Sequence, residues 1–152
     1  MRSSLRLALA LATAVGCGTV DPGDNFVTPE ARVDEDFFYC RVQPEVISAQ
    51  SCASGGAGED GSCHADRSAL RLSPEAETAT PPDCVEGEPV TEVPEPYVQN
   101  LDRIQALAVG ADPSSSGIYR RPLGLDSHPR VIFEQDSTEA MLLAEWLNMG
   151  GE

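Results

Sequence analysis

The stretch FYCRVQPEVISAQSC (residues 38–52) decides how the folded part of this chain is expected to begin. Its apolar residues recur at helical spacing: Phe38, Val42, Val46 and, beside it, Ile47. Three acidic residues precede it from Asp34 onward, and they suit the positive end of a helix. We therefore predict a first helix from about Asp34 to near Cys52. Pro44 removes one backbone donor, so it should kink or divide this helix.

Two more helices are expected further along the chain. The segment 96–109 carries four apolar residues on one face: Tyr97, Leu101, Ile104 and Ala108. A last helix follows Asp136, which can form a capping pair with Glu139, and it has an apolar stripe: Leu142, Leu143, Trp146 and Leu147. We expect the tryptophan to be buried between the first and last helices. The proline-rich segment 73–96 indicates an irregular crossing, and no strand pattern is evident. The predicted fold is mostly α, with long irregular loops.

Residues 1–16 have the pattern of a signal peptide, because two arginines precede an apolar stretch that is too short to span a bilayer. The sequence AVGC, which ends at Cys17, resembles the lipobox of bacterial lipoproteins, whose cysteine is lipidated. Residues 17–33 are then a lipidated N-terminus and tether, and 34–152 form one domain. We expect an exported, lipid-anchored protein of the cell envelope, at the outer membrane or the periplasmic face. An ordinary signal peptide cleaved nearby is the alternative.

The charge balance bears on the partners. The chain has 25 acidic and 10 basic residues, for a formal net charge of −15. Such a surface repels nucleic acid, so no nucleic-acid partner is expected. If a protein partner exists, the simplest expectation is a partner with a basic docking face. The alternative is that the acidity serves only solubility.

The residues with the most specific chemistry are Cys52, Cys63 and His64. A cysteine that forms a thioether to haem, followed at once by a histidine that ligates the iron, is the core of a c-type haem site. The usual motif has two residues between its cysteines, whereas here ten residues separate Cys52 from Cys63. The intervening segment must therefore loop out if both sulfurs are to reach one haem.

The order of these motifs is similar to that in cytochrome c-like domains of bacterial lipoproteins of the planctomycete and myxobacterial type. Those domains have a VxP helix, a CxxCHG motif, a GLRL segment and a last helix with a tryptophan before glycine. The matching residues are Val42, Pro44, Cys52, Cys63, His64, Leu70, Arg71, Leu72, Trp146 and Gly150. The resemblance covers roughly residues 36 to 151, and Ala65 departs from it in place of a glycine. It implies a small helical domain with crossing N- and C-terminal helices and one haem c.

The resemblance also implies that His64 is one axial ligand of the haem iron. His128 is the only other histidine, and its loop is where such domains place a distal ligand. Met141 and Met149 are alternative ligands, although Met141 adjoins the apolar stripe and is expected to pack. A solvated loop histidine is the alternative for His128. A zinc site built from the two cysteines and two histidines fits no common zinc spacing.

Four cysteines remain after Cys17, and they suit an oxidising compartment. We expect a Cys40–Cys84 disulfide, since Cys40 lies on the first helix and Cys84 would pin the proline-rich segment; four cysteines allow three connectivities. The leading function is electron transfer through one covalent haem, with no enzymatic site recognised. The alternative is a domain without cofactor, in which a Cys52–Cys63 disulfide also forms and which serves in surface binding or structure.

Overall fold

A computed structural model describes residues 33–55, 63–66, 68–108 and 112–149. The predicted signal peptide, Cys17 and nearly all of the tether lie outside these residues. Within the described part of the chain, no helix is long and apolar enough to cross a membrane. About half of the described residues are helical, and a small two-stranded sheet accompanies the helices.

The first helix has two parts. α1 (Glu35–Phe37) continues directly into a π-helix (Phe38–Ser48), after which turns follow to residue 54. The Asp34 side chain caps the start by accepting a hydrogen bond from the backbone N of Phe37 at 2.7 Å. Of the two expected effects of Pro44, a kink or a division of the helix, the division does not occur, because the π-helix runs through it. A proline ring clashes with the carbonyl four residues earlier, and the wider π spacing is one way to relieve that contact.

The last helix, α5 (Thr138–Met149), packs against the first as predicted. Its stripe is buried, and Trp146 is fully enclosed with its ring centroid 5.2 Å from that of Phe38. The indole Nε1 donates to the backbone carbonyl of Asp34 at 2.8 Å. The expected cap is wrong by one residue, since Ser137 rather than Asp136 accepts from a helix N–H, that of Ala140.

The middle helix, α3 (Glu95–Ala108), confirms the predicted segment, and its four expected core residues are all buried. It also carries Asn100, which belongs to a buried polar chain that the sequence analysis did not find. Asn100 accepts from the backbone N of Ser73 at 2.7 Å and donates to Gln43 at 3.0 Å. Gln43 donates to Ser48, and Ser48 donates to the carbonyl of Ala76. These bonds join the first helix, α3 and a 3₁₀ turn (Pro74–Glu77).

Replacing Asn100 with alanine should lower the free energy of unfolding by about 2–3 kcal/mol, because it leaves a buried N–H and a buried amide oxygen without partners. The measurement is urea denaturation followed by circular dichroism. Asp102→Ala, an exposed site on the same helix, is the matched control and should change stability by about 0.5 kcal/mol or less. Equal effects of both substitutions would contradict a structural role for the polar chain.

The proline-rich segment 73–96, which was expected to be irregular, contains a short hairpin. Strands β1 (Cys84–Val85) and β2 (Glu88–Pro89) pair antiparallel across a turn in which Glu86 and Gly87 both have positive φ. Cys84 forms a disulfide with Cys40, with Cα atoms 6.1 Å apart. This is the pairing expected from the sequence, and it fixes the hairpin to the first helix. Two short helices, α2 (Cys63–Asp66) and α4 (Gly117–Arg120), complete the described elements.

Candidate functional site

The described residues on either side of the ten-residue spacer lie close together. The backbone N of His64 donates to the carbonyl of Cys52 at 3.2 Å, and that of Ala65 donates to Ala53 at 3.0 Å. The chain therefore returns to Cys52 when it reaches Cys63 and His64. The altered spacing is compatible with a site that uses both cysteines.

α2 and the segment after it hold His64 in place. The carbonyl of His64 accepts from the backbone N of Leu72 at 2.8 Å, so the LRL segment lies against the Cys-His pair. The guanidinium of Arg71 donates to the carbonyl of Ala65 at 3.2 Å. Cys52 and Leu70 are partly buried and pack against the hydrophobic core. The candidate site therefore lies at the edge of the hydrophobic core.

His128 lies in a loop that is closed at its base. The backbone N of Ile132 donates to the carbonyl of Pro122 at 2.7 Å. Gly124 has a φ of +71°, and a Cβ there would lie 2.7 Å from the side chain of Val131, so the tight base requires glycine. The guanidinium of Arg130 donates to the carbonyl of Gly55 at 3.2 Å, which ties the loop to the turn after Cys52.

The backbone contacts around His64 and the closed loop that carries His128 bring the two histidines together. The ring centroids of His64 and His128 are 6.1 Å apart, and the ring planes are inclined by 21°. The two rings therefore lie close together and nearly parallel, in a stacked arrangement.

Hydrogen bonds define which nitrogen of each ring carries the proton. Nδ1 of His128 lies 2.6 Å from the carbonyl of Arg130, which can only accept, so Nδ1 is the donor. Nδ1 of His64 lies 2.7 Å from the hydroxyl of Ser68, and that hydroxyl donates its hydrogen to the carbonyl of Leu70. Nδ1 of His64 must then donate to Ser68. In the neutral form, both rings keep the lone pair on Nε2, as a metal ligand requires.

The electrostatic setting favours this neutral form. Burial lowers the pKa of His64, and the nearby charges of His128 and Arg121 lower it further, while a hydrogen bond to the Leu70 carbonyl acts in the opposite direction. A lower pKa means that the imidazole stays uncharged at neutral pH. An uncharged imidazole is the form that binds a metal.

Cys52 is held as a neutral thiol. Burial raises its pKa to about 12, and the carboxylate of Glu77 adds to the effect. Glu77 also fixes the adjoining turn, because it accepts from the backbone N of Ala53 at 2.8 Å and of Ser54 at 3.0 Å. Such a thiol is a poor thiolate ligand and a poor nucleophile at neutral pH. Cys63 is also a free thiol and is partly buried.

The other predicted ligands are placed elsewhere. Met141 and Met149 lie on α5 with side chains 57% and 42% exposed, so the expectation that Met141 packs is wrong. The helix turns it outward because it precedes Leu142 and Leu143, which face the core. In the described part of the chain, no group of three or more His, Cys, Asp or Glu side chains is arranged to hold a metal ion. Haem iron needs only two axial ligands from the protein.

Sequence reasoning missed the groups that support the site. Ser68 follows His64 by four residues, a spacing at which side chains on a helical turn can meet, so its contact could have been anticipated. Glu77 and the carbonyl of Arg130 gave no comparable signal. Their contacts depend on how the proline-rich segment and the His128 loop cross the core.

No protein-family model matches this chain, and comparisons with curated proteins and with solved structures gave no significant match.

Proposed function

We propose that this protein is an electron carrier in which Cys52 and Cys63 hold one haem c and His64 and His128 are its axial ligands. The observation that carries the proposal is the pair of imidazoles, with centroids 6.1 Å apart and Nδ1 of each ring engaged in a hydrogen bond. The neighbouring Cys52 and Cys63 supply the sulfurs. No other described cysteine is available, because Cys40 and Cys84 are joined.

Cys52 and Cys63 are both free thiols. Each thiol would add its S–H across one vinyl group of haem, so no atom is lost and the protein gains the mass of a whole haem. The raised pKa of Cys52 keeps that thiol protonated until attachment. When bound, the haem iron would supply one-electron redox chemistry between its ferric and ferrous forms. The chain would hold both ligands through the change, since each imidazole is fixed through Nδ1.

The fold supports this proposal in two ways. The N- and C-terminal helices pack together around Trp146, as the cytochrome c-like resemblance implies. The site lies against the hydrophobic core, which lowers the local dielectric and tunes a redox potential. We accordingly propose a small, mostly helical, cytochrome c-like domain with a hairpin added in its long loop. Its role is electron transfer rather than catalysis.

Charge distribution supports a basic docking face on the redox partner. Every charged side chain between Arg71 and Arg103 is acidic. This stretch includes the hairpin, on which Glu86 and Glu88 are exposed. A partner with clustered lysine or arginine would be steered toward this hairpin. We propose that the lipid anchor at Cys17 holds the domain at the envelope, where such a partner would meet it.

A haem-free module is the second proposal. The hydrogen bonds that bring Cys63 and His64 beside Cys52 would equally suit a Cys52–Cys63 disulfide in an oxidising compartment. Such a bridge would add roughly 3 kcal/mol of stability by closing the loop in the unfolded chain. The domain, cross-linked by two disulfides, would then act through its surface.

Absorbance spectroscopy tests the main proposal. The full chain is expressed in a bacterial periplasm together with cytochrome c maturation machinery, and spectra are recorded before and after dithionite. We expect a sharp reduced α-band and no high-spin features, because two imidazoles coordinate the iron. A known c-type cytochrome matured in the same cells is the control. A colourless protein beside a coloured control would refute the haem proposal and favour the haem-free module.

A further inference from the structure

We propose that Ser68 is a positioning residue that sets the tautomer and orientation of His64. The inference rests on the proposed function, since it assigns His64 as an iron ligand, but the tautomer itself is a property of the chain. Ser68 Oγ lies 2.7 Å from Nδ1 of His64 and donates to the carbonyl of Leu70. A hydroxyl has one hydrogen, so once it donates to Leu70 it can only accept from His64.

The Ser68 hydroxyl links the ring of His64 to the backbone of the LRL segment (residues 70–72). The same segment is fixed independently, because the backbone N of Leu72 donates to the carbonyl of His64 at 2.8 Å. Both hydrogen-bond partners of Ser68, the ring of His64 and the carbonyl of Leu70, are therefore held in place by the backbone bond between Leu72 and His64. This arrangement restricts rotation of the imidazole and keeps the lone pair on Nε2.

His128 provides an internal comparison. Its Nδ1 donates to a backbone carbonyl, that of Arg130, which no side-chain substitution removes. His64 differs in having a side-chain hydroxyl, that of Ser68, between its Nδ1 and the backbone carbonyl of Leu70. A substitution at Ser68 should thus alter one ring and leave the other unchanged. Ser127, exposed beside His128, offers a matched control site.

The consequence for a bound iron follows from the role of such outer contacts. A hydrogen bond from Nδ1–H makes the opposite nitrogen a stronger donor, and loss of the partner typically lowers metal affinity about 10- to 100-fold. An imidazole that donates less electron density to the iron stabilises the ferric state less than the native imidazole does. Removing the hydroxyl should therefore raise the reduction potential.

The test compares Ser68→Ala, Ser68→Thr and Ser127→Ala in the full chain. In haem-free protein, ¹⁵N NMR of the histidine rings reports each tautomer at a pH where both imidazoles are neutral. We expect the wild type, Ser68→Thr and Ser127→Ala to show Nδ1–H at His64, and Ser68→Ala to show a mixture of tautomers. His128 should be the same in all four. Retention of the pure Nδ1–H form in Ser68→Ala would overturn the proposal.

The second measurement uses protein loaded with haem. The potential of Ser68→Ala should be higher than that of the wild type, and Ser68→Thr should restore it. An unchanged potential would overturn the assigned role of Ser68. If no variant binds haem, the proposed function fails, whereas the NMR comparison still decides whether Ser68 sets the His64 tautomer. Circular dichroism shows whether each variant is folded.

Discussion

Trp146→Ala is expected to lower the free energy of unfolding by about 3–5 kcal/mol, the cost typical of deleting a fully buried aromatic side chain. Trp146 has no exposed surface, contacts the Phe38 ring and donates to the carbonyl of Asp34. It is also the chain's single tryptophan. A loss of this size is a large part of the total stability of about 5–15 kcal/mol for a small domain.

Urea denaturation followed by circular dichroism measures this effect, since the variant lacks tryptophan fluorescence. Trp146→Phe should cost less, because it keeps an aromatic ring beside Phe38 and loses the bond to Asp34. Met141→Ala, at an exposed position on the same helix, should stay within about 0.5 kcal/mol of the wild type. A loss below about 1 kcal/mol for Trp146→Ala would show that the two helices do not depend on this contact.

The second large effect is expected at the histidines. If haem is bound as proposed, His64→Ala should abolish the low-spin spectrum, because it removes the proposed ligand that follows Cys63. His128→Ala should keep the covalent haem and give a high-spin spectrum with one open axial position. The two variants thus separate attachment from coordination. Absorbance and intact mass on the same samples provide the measurement.

The matched control is Ser127→Ala, which changes the same loop without touching a proposed ligand. It should keep the wild-type spectrum. A wild-type spectrum in both histidine variants would contradict the bis-histidine assignment, and so would a normal spectrum in His128→Ala alone. Circular dichroism should show near-native folding in every variant, since both histidines lie at the edge of the core and are only partly buried.

Local patterns of the right length predicted much of the fold. The helical spacing of Tyr97, Leu101 and Ile104 identified α3 within one residue at each end, and the α5 stripe identified the helix that buries Trp146. The Cys40–Cys84 pairing agrees with the structure because few cysteines were available. These features depend on residues that are close in sequence or on simple counting.

The features that sequence reasoning missed depend on tertiary contacts or on very short elements. Strands of two residues have no detectable alternation, and the hairpin turn at Glu86 and Gly87 lacks the Asn-Gly or Asp-Gly pair that usually signals one. The buried amides of Gln43 and Asn100 look like surface residues until their partners are known. Ser137 and Asp136 were equally suitable caps by composition.

For the candidate site as well, the sequence predicted some features and missed others. Residue type and order were enough to select Cys52, Cys63, His64 and His128, because few other side chains could do the chemistry. They could not predict that the rings would lie 6.1 Å apart, nor that the Ser68 hydroxyl and the carbonyl of Arg130 would lie within hydrogen-bond distance of the two Nδ1 atoms. Those facts depend on the paths of two loops across the core. Haem attachment, lipidation at Cys17 and the redox partner stay predictions.

The proposed function depends above all on covalent attachment of haem through Cys52 and Cys63. The most direct test is the intact mass of the denatured, reduced protein after expression with cytochrome c maturation machinery, with a Cys52→Ala, Cys63→Ala double variant as control. We expect the wild type to be heavier than the double variant by the mass of one whole haem, after allowance for the two substitutions, since both share the same processed N-terminus. A wild type without this added mass, from cells that matured a known c-type cytochrome, would contradict the proposal.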